Sequence, residues 1–339
     1  MPRIGGKHPG RGNSRVPSRL VGALLVGAAA CAYGSGPLFA RSVYATGADW
    51  LTLLAWRFTL AAAASWVWLI ARPNNRAALR RLPRRRASQL FAVGTLFAFA
   101  SASAYASLEL IPVALYGLIQ AISPALVAAL AIRFGRRLDG RRAWLALAIA
   151  TAGVALTIGG VTTRADPIGV LLAVGGPLIY SVYLLLVARA AGERRWALAI
   201  ERSVPPVPPA VAGTILLTGT WAVLVTWAAI LQEPAMPWQL SVAAWPGLLA
   251  IGLISGAFAI QALYAGTARI GAAQAALVST LEPVSTVILA MLVLGEGLGP
   301  FQVCGGLLVL TGVVLSQTNG KSLAGTDGGA DVQLQREPA

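Results

Sequence analysis

The feature that most constrains this chain is a series of apolar stretches, each long enough to cross a lipid bilayer. A helix needs about 20 mostly apolar residues to span the hydrocarbon core. Ten stretches meet this requirement, and they predict transmembrane helices at residues 22–40, 49–71, 88–108, 112–132, 143–161, 168–188, 209–231, 243–265, 271–294 and 300–316. We therefore expect an all-α integral membrane protein with ten transmembrane helices.

The composition excludes an ordinary soluble domain. Hydrophobic residues make up 57% of the chain and charged residues 12%, whereas soluble domains carry roughly 25% charged residues. The net charge of +15 does not indicate a nucleic-acid partner, because the basic residues lie in short clusters between apolar stretches. His8 is the only histidine, and Cys31 and Cys304 both lie in apolar stretches. We expect no metal, no cofactor and no enzymatic activity.

The basic clusters predict how the chain is oriented in the membrane. Seven arginines lie between spans two and three and five between spans four and five, whereas the loops on the opposite side contain only Arg41 and Arg164. Because cytoplasmic loops are rich in Arg and Lys, both termini are expected in the cytoplasm. The basic segment 1–19 and the Gly-rich segment 317–339 are predicted to be cytoplasmic tails, the second one disordered.

The two halves of the chain resemble each other. An offset of 159 residues aligns 105–157 with 264–316 and places Pro124 on Pro283 without a net gap. The predicted repeats extend over 20–161 and 168–316 and contain five spans each. An odd number of spans makes the second copy enter the membrane from the other side. The sequence therefore predicts an inverted repeat, an architecture in which secondary transporters bind substrate near the midplane.

Glu282 is an acidic residue in the middle of a predicted membrane span. A charge at the bilayer centre costs about 2.5–3.5 kcal/mol on insertion scales. If helix nine extends from Gly271 to Leu294, Glu282 lies roughly 15 Å from either end. Ser279, Ser285 and Thr286 share its helix face. Two interpretations stay open: a buried carboxyl that only stabilises the bundle, or a carboxyl that acts in transport and exchanges a proton.

A second polar stripe occupies the equivalent helix of the first repeat. Tyr116, Gln120 and Ser123 recur there at helical spacing. Two related polar stripes on apolar helices predict the lining of a central cavity. Next to them, Pro124 and Pro283 each remove a backbone hydrogen bond and are predicted to kink their helices.

Arg57 is the other charge inside a predicted span, about 12 Å from the start of helix two. Three roles stay open for it: a structural one, a pairing with Glu282, or the binding of an anionic group of a substrate. Glu109 and Glu296 lie at tight turns and are predicted to be surface residues. The residues predicted to line the translocation path are Glu282, Arg57, Ser279, Gln120, Ser123, Tyr116, Tyr105, Tyr264 and Ser285.

These motifs resemble a known family. Residues 281–316, LEPVSTVILAMLVLGEGLGPFQVCGGLLVLTGVVLS, are similar to the closing signature of the EamA domain in drug/metabolite transporters, from Glu-Pro through Gly-Glu-x-Leu to Gly-Val. A weaker copy lies at 122–138, and LLAWRFTLAAA at 53–63 resembles the second helix of the family, where an arginine is usual. The first copy departs from the pattern, because Ser123 replaces the glutamate and Arg136 replaces the Gly-Glu carboxylate.

The resemblance implies ten helices in two repeats, a bacterial inner-membrane location and export of small metabolites such as amino acids, or of drugs. We expect a secondary transporter that works by alternating access. Its expected partners are a small-molecule substrate, the lipid bilayer and protons as the coupling ion. A monomer is expected, and a dimer stays open. The alternatives are a nucleotide-sugar or sugar-phosphate carrier and, in a different class, a passive channel or a membrane scaffold.

Overall fold

The computed structural model describes residues 18–123, 126, 130, 140–159, 166–190, 207–232, 237–270, 275 and 278–317. Its helices are α1 Ser18–Gly34, α2 Gly36–Tyr44, α3 Trp50–Ala71, α4 Pro73–Arg81, α5 Arg84–Leu110, α6 Val113–Gln120, α7 Gly140–Gly159, α8 Pro167–Ala190, α9 Pro209–Ile230, α10 Trp245–Ala250, α11 Ala259–Ile270, α12 Leu281–Leu294 and α13 Pro300–Gln317. A π-helical segment, Ile251–Phe258, joins α10 to α11. Pro124 and nearly all of both predicted tails lie outside the described residues.

Among the described residues, five helical stretches are long and apolar enough to cross a membrane, and each overlaps a predicted span. They are Leu20–Tyr44, Trp50–Ala71, Arg84–Leu110, Pro209–Ile230 and Val242–Thr267. Shorter apolar stretches overlap predicted spans five, six, nine and ten: Ala148–Thr157, Pro167–Tyr183, Leu281–Leu294 and Pro300–Gly312. The all-α membrane fold is therefore confirmed, while the number of ten spans stays a prediction.

The helix contacts are related between the two halves. Helix α5 of the first half packs on α8 of the second, and the equivalent contact joins α11 of the second half to α1 of the first. The contact of α5 with α9 likewise corresponds to that of the π-helical segment with α3. Three further pairs join a helix to its own equivalent: α3 with α9, α6 with α12, and α7 with α13. Exchanging the halves thus leaves these helix contacts in place.

Equivalent helices pack antiparallel. In α3 and α9 the Trp221 indole N–H donates to Thr59 Oγ1 at 3.0 Å, and the Trp66 indole donates to Thr218 Oγ1, also at 3.0 Å. Residues later in α3 therefore contact residues earlier in α9, so the two helices run in opposite directions. Gly153 of α7 contacts Gly305 and Val309 of α13, while Thr157 also contacts Gly305, which gives the same direction.

Several connections between helices lie close together at one end of the bundle. The Trp50 N–H at the start of α3 donates to the carboxylate of Glu109 at the end of α5. The Val113 N–H at the start of α6 donates to Glu296, which follows α12. Gly169 of α8 lies beside Leu110. We call this end of the bundle end A.

Candidate functional site

Two equivalent helices are interrupted at the same place. In the first repeat α6 ends at Gln120, and Ala121 and Ile122 form a turn before Ser123 is helical again. In the second repeat Thr280 forms a turn, and α12 begins at Leu281. Ala121 and Thr280 are related by the offset of 159 residues. The structure therefore differs from the predicted uninterrupted helices 112–132 and 271–294.

Proline chemistry explains the interruption before α12. Pro283 has no N–H to donate to the carbonyl of Ser279, and its ring clashes with that carbonyl in a continuous helix. As the third residue of α12, Pro283 occupies a first turn, where an N–H has no partner within the helix. The result is a break at Thr280 where a kink was predicted. Glu282 consequently lies in the first turn of a helix and not in the middle of one.

The first helix is also broken at this level. Between α1 and α2 the Ser35 hydroxyl donates to the carbonyl of Ala32 at 2.8 Å. A Cβ atom on Gly34 would lie 2.7 Å from the carbonyl oxygen of Glu282. A Cβ atom on Gly36 would lie 2.6 Å from Ser255 Oγ and 2.9 Å from the Tyr105 hydroxyl. Only glycines at these two positions let the broken helix approach so closely.

The fourth irregular helix is the π-helical segment, in which Ser255 is fully buried. Segments of π-helix inside α-helices occur frequently at functional sites. Its position beside Gly36 brings it to the same place as the three breaks. Four helices thus lose regular α geometry around one point of the bundle.

The carboxyl group at that point belongs to Glu282. Its side chain is partly exposed, and its carbonyl oxygen accepts the hydroxyls of Ser285 at 2.8 Å and Thr286 at 3.1 Å. The carboxylate interacts electrostatically with one guanidinium and four phenol groups, those of Arg57, Tyr33, Tyr105, Tyr116 and Tyr180. Polar groups from both repeats therefore surround one acidic side chain.

Arg57 is 5% exposed and incompletely hydrogen-bonded. Its Nη2 donates to the carbonyl and hydroxyl oxygens of Ser255 at 3.4 and 3.5 Å, which are long distances for such bonds. The guanidinium carbon lies 4.7 Å from the ring centre of Tyr105, a cation–π contact. Its Nε has no hydrogen-bond partner. Within the described chain, the guanidinium thus keeps donor capacity for another group.

Gln120 and Tyr116 form a pair on α6. The amide Nε2 of Gln120 donates to the Tyr116 hydroxyl at 2.8 Å, while its Oε1 is buried without a partner. In α11, Nε2 of Gln261 is likewise buried without a partner among the described residues. An unpaired buried amide group costs about 1–3 kcal/mol unless something binds it.

Two of the predicted path residues contact other groups, and a third, Ser279, lies just before the break. The Ser123 hydroxyl donates to the Gln120 carbonyl at 2.8 Å and closes the break after α6. Tyr264 is hydrogen-bonded to Tyr183 of α8. Ser279 is half-buried in the last helical position before the break. The structure brings Arg57, Tyr105, Tyr116, Gln120 and Glu282 together.

A model of the EamA-like transporter family matches residues 20–159 and again residues 167–318. The chain belongs to this family. Among solved structures, one titled "Crystal structure of protein" shares 22% of its residues with the chain; the match covers 87% of this chain and 96% of the other, with a TM-score of 0.59. That similarity shows a shared fold. No protein with a curated description matches the chain.

A groove of this EamA-like transporter lies away from Glu282. It has a volume of about 470 Å³ and lies between α5 and α9, lined by Phe99, Ala222, Val223, Thr226, Trp227 and Ile230. Apolar side chains dominate it, as expected for a surface that faces lipid. The central cavity that the two polar stripes predict therefore stays a prediction.

Two acidic residues of this EamA-like chain are helix caps, where the sequence predicted simple surface positions. Glu296 accepts the N–H groups of Val113 and Ala114 at 3.1 and 2.7 Å. Glu109 accepts the Trp50 N–H at the start of α3. Each carboxylate satisfies backbone groups that a helix start leaves without a partner. Glu109 is exposed, as predicted, whereas Glu296 is half-buried. The caps themselves were not predicted, because they depend on long-range packing that brings these turns against helix starts.

Sequence reasoning missed several residues of the site. Ser255 is a single serine in an apolar run and gave no signal. Gly34 and Gly36 flank Ser35 in a Gly-Ser-Gly sequence, which in hindsight marks a helix break beside Pro37. Tyr33 and Tyr180 occupy related positions of the two repeats, 147 residues apart, and this relation is a signal that could have found them.

Proposed function

We propose that this EamA-like protein is a secondary transporter that moves a small molecule through the bundle by alternating access. The observation that supports it is the convergence of four irregular helices on Glu282 and Arg57. Secondary transporters use interrupted membrane helices of two repeats to build a substrate site at the midplane. Irregular backbone at membrane depth is tolerated where it lines a cavity or is buried in protein.

The proposed architecture has ten spans in two inverted repeats. Antiparallel packing of α3 on α9 and of α7 on α13 supports the inversion, because these are equivalent helices of the two repeats. The proposed location is a bacterial inner membrane. With the arginine-rich connections on the inside, both termini lie in the cytoplasm. The proposed direction is export, and the proposed substrates are small metabolites such as amino acids, or drugs.

We infer that Glu282 couples transport to protons. Its partly exposed carboxyl group lies among phenol groups, and only Arg57 opposes its charge within the described membrane helices. A positively charged group of a substrate that enters would compete with a proton for the carboxylate. Exchange of the two would then link substrate movement to a proton gradient.

The unpaired polar atoms define what a substrate would contact. Arg57 Nε offers a donor and Gln120 Oε1 an acceptor, and neither has a partner in the part of the chain that the structure describes. A sugar phosphate or nucleotide sugar would bring more negative charge to the one buried arginine than it can neutralise. This comparison favours the metabolite exporter over the anionic carrier.

Counterflow in proteoliposomes tests the proposal. Liposomes preloaded with unlabelled substrate would be diluted into trace labelled substrate, with L-amino acids, tetraphenylphosphonium and glucose 6-phosphate in separate arms. A carrier accumulates label transiently in at least one of the first two arms. Counterflow only with glucose 6-phosphate would favour the anionic carrier, equilibration without overshoot would indicate a channel, and no protein-dependent uptake in any arm would contradict transport.

A further inference from the structure

Glu296 joins the two repeats at end A. Its Oε1 accepts the Val113 N–H at 3.1 Å and its Oε2 accepts the Ala114 N–H at 2.7 Å. These are the first two residues of α6, whose preceding residue, Pro112, supplies no side-chain cap. Because the carboxylate is negative and lies at a helix start, it is favoured by both the free N–H groups and the helix dipole.

The backbone around Glu296 fixes the position of the carboxylate. Gly295 has φ 68°, in the left-handed region that glycine adopts without strain. The Glu296 N–H then donates to the Ala290 carbonyl at 3.2 Å and closes the end of α12. The Gly-Glu pair therefore ends one helix and caps the start of another.

The two helices that this contact joins carry the candidate site. Helix α6 supplies Tyr116 and Gln120, whereas α12 supplies Glu282. Midway between the cap and the site, Gly117 packs against Thr286. A shift of α6 against α12 at end A is therefore transmitted along both helices to the site.

We propose that Glu296 is a positioning residue that holds end A closed by capping α6 of the opposite repeat. This inference rests on the proposed alternating access, in which end A opens as the repeats separate. Opening requires both hydrogen bonds of Glu296 to break, so their strength sets the balance between the closed and open states. Glu109 makes a similar contact at the same end, but it joins α3 and α5 within one repeat.

Distances across end A test this role without a known substrate. Spin labels would be placed at Ala45→Cys and Phe301→Cys, both exposed positions at end A in opposite repeats, with Cys31 and Cys304 replaced by alanine. Double electron–electron resonance in lipid nanodiscs then gives the ratio of longer to shorter distances. The variants are Glu296→Gln, which removes the charge, and Val113→Pro, which removes one donor at a position where helices accept proline.

We expect Glu296→Gln to raise the ratio of longer to shorter distances between about twofold and thirtyfold, the range for losing a helix cap. Val113→Pro should raise it by less, and Glu109→Gln should leave it unchanged. An unchanged ratio in Val113→Pro and in folded Glu296→Gln would overturn the proposal, as would an equal rise in Glu109→Gln. If Glu296→Gln does not fold, Val113→Pro decides alone. A failed counterflow assay contradicts the transport proposal and leaves these distances measurable.

Discussion

The two interrupted helices have the same backbone irregularity but different chemistry. After α6 the Ser123 hydroxyl closes the break by donating to the Gln120 carbonyl at 2.8 Å. Before α12 the position related by the offset of 159 residues is Glu282, whose carboxylate interacts electrostatically with Arg57 and four tyrosines. One repeat thus uses the position to satisfy its own backbone, and the other places a charge there.

The same contrast holds at the helix ends. In the second repeat Gly-Glu follows α12, and Glu296 caps α6. The related sequence of the first repeat, FGRRL at 134–138, has arginines, which cannot accept an N–H hydrogen bond. Symmetry of the fold therefore does not give symmetry of the site. In the proposed transporter, a substrate between the repeats would meet the carboxylate of the second repeat and the guanidinium, hydroxyl and amide groups of the first.

We expect replacement of Glu282 to have the largest effect on transport. Glu282→Ser gives the second break the side chain of the first, and Glu282→Gln keeps its shape without the charge. We expect both variants to lose flux driven by a pH gradient, down to the level of empty liposomes, since neither side chain can exchange a proton. Flux measured in proteoliposomes across pH 5–9 checks this; wild-type flux in Glu282→Gln would end the coupling hypothesis.

Arg57→Lys should have the next largest effect. A lysine keeps the charge but loses the planar group that stacks on Tyr105 and donates to Ser255. We expect the apparent affinity for the transported substrate to fall on the order of tenfold, the value of one hydrogen bond to a charged group. Arg41→Lys is the matched control, because Arg41 Nη2 donates only to the Ile111 carbonyl at end A. Equal losses in the two variants would contradict a role for Arg57 in the site.

The sequence was sufficient for the parts of the fold that depend on local composition. Apolar length predicted the five long helices such as Trp50–Ala71 and Pro209–Ile230. The offset of 159 residues related the two halves, and the family model matches the chain twice. Among the path residues, Glu282 and Arg57 were conspicuous because charge is costly within lipid.

The remaining parts depend on contacts between distant segments. The position of Ser255 beside Arg57 is set by packing of the π-helical segment on α3, across 198 residues of sequence. Glu296 reaches α6 across 183 residues. Pro283 was recognisable in the sequence. Whether a proline kinks or interrupts a helix depends on what packs into the gap that the missing backbone hydrogen bond leaves. Here Gly34 of the broken first helix lies against that gap.

Gly34→Ala tests how tightly α1 packs against the second break. The added methyl group would overlap Ser285 Oγ and lie 2.7 Å from the Glu282 carbonyl oxygen. We expect a destabilisation of about 1–3 kcal/mol, the usual result of overpacking, measured as a lower thermal midpoint in detergent. Gly297→Ala is the control, because a Cβ atom there has nothing within 4 Å. Similar midpoints for the two variants would show that α1 does not pack tightly on this break.

Ser123→Ala should have the smallest effect, at the first break. It removes one hydrogen bond, to the Gln120 carbonyl, and should cost about 0.5–1.5 kcal/mol of stability. Because the hydroxyl is occupied by the backbone, transport should keep its wild-type dependence on pH, although the midpoint of thermal unfolding falls. If Ser123→Ala abolished pH-driven flux as Glu282→Gln is expected to do, the two breaks would share one function. The division between a structural first break and a charged second break would then be wrong.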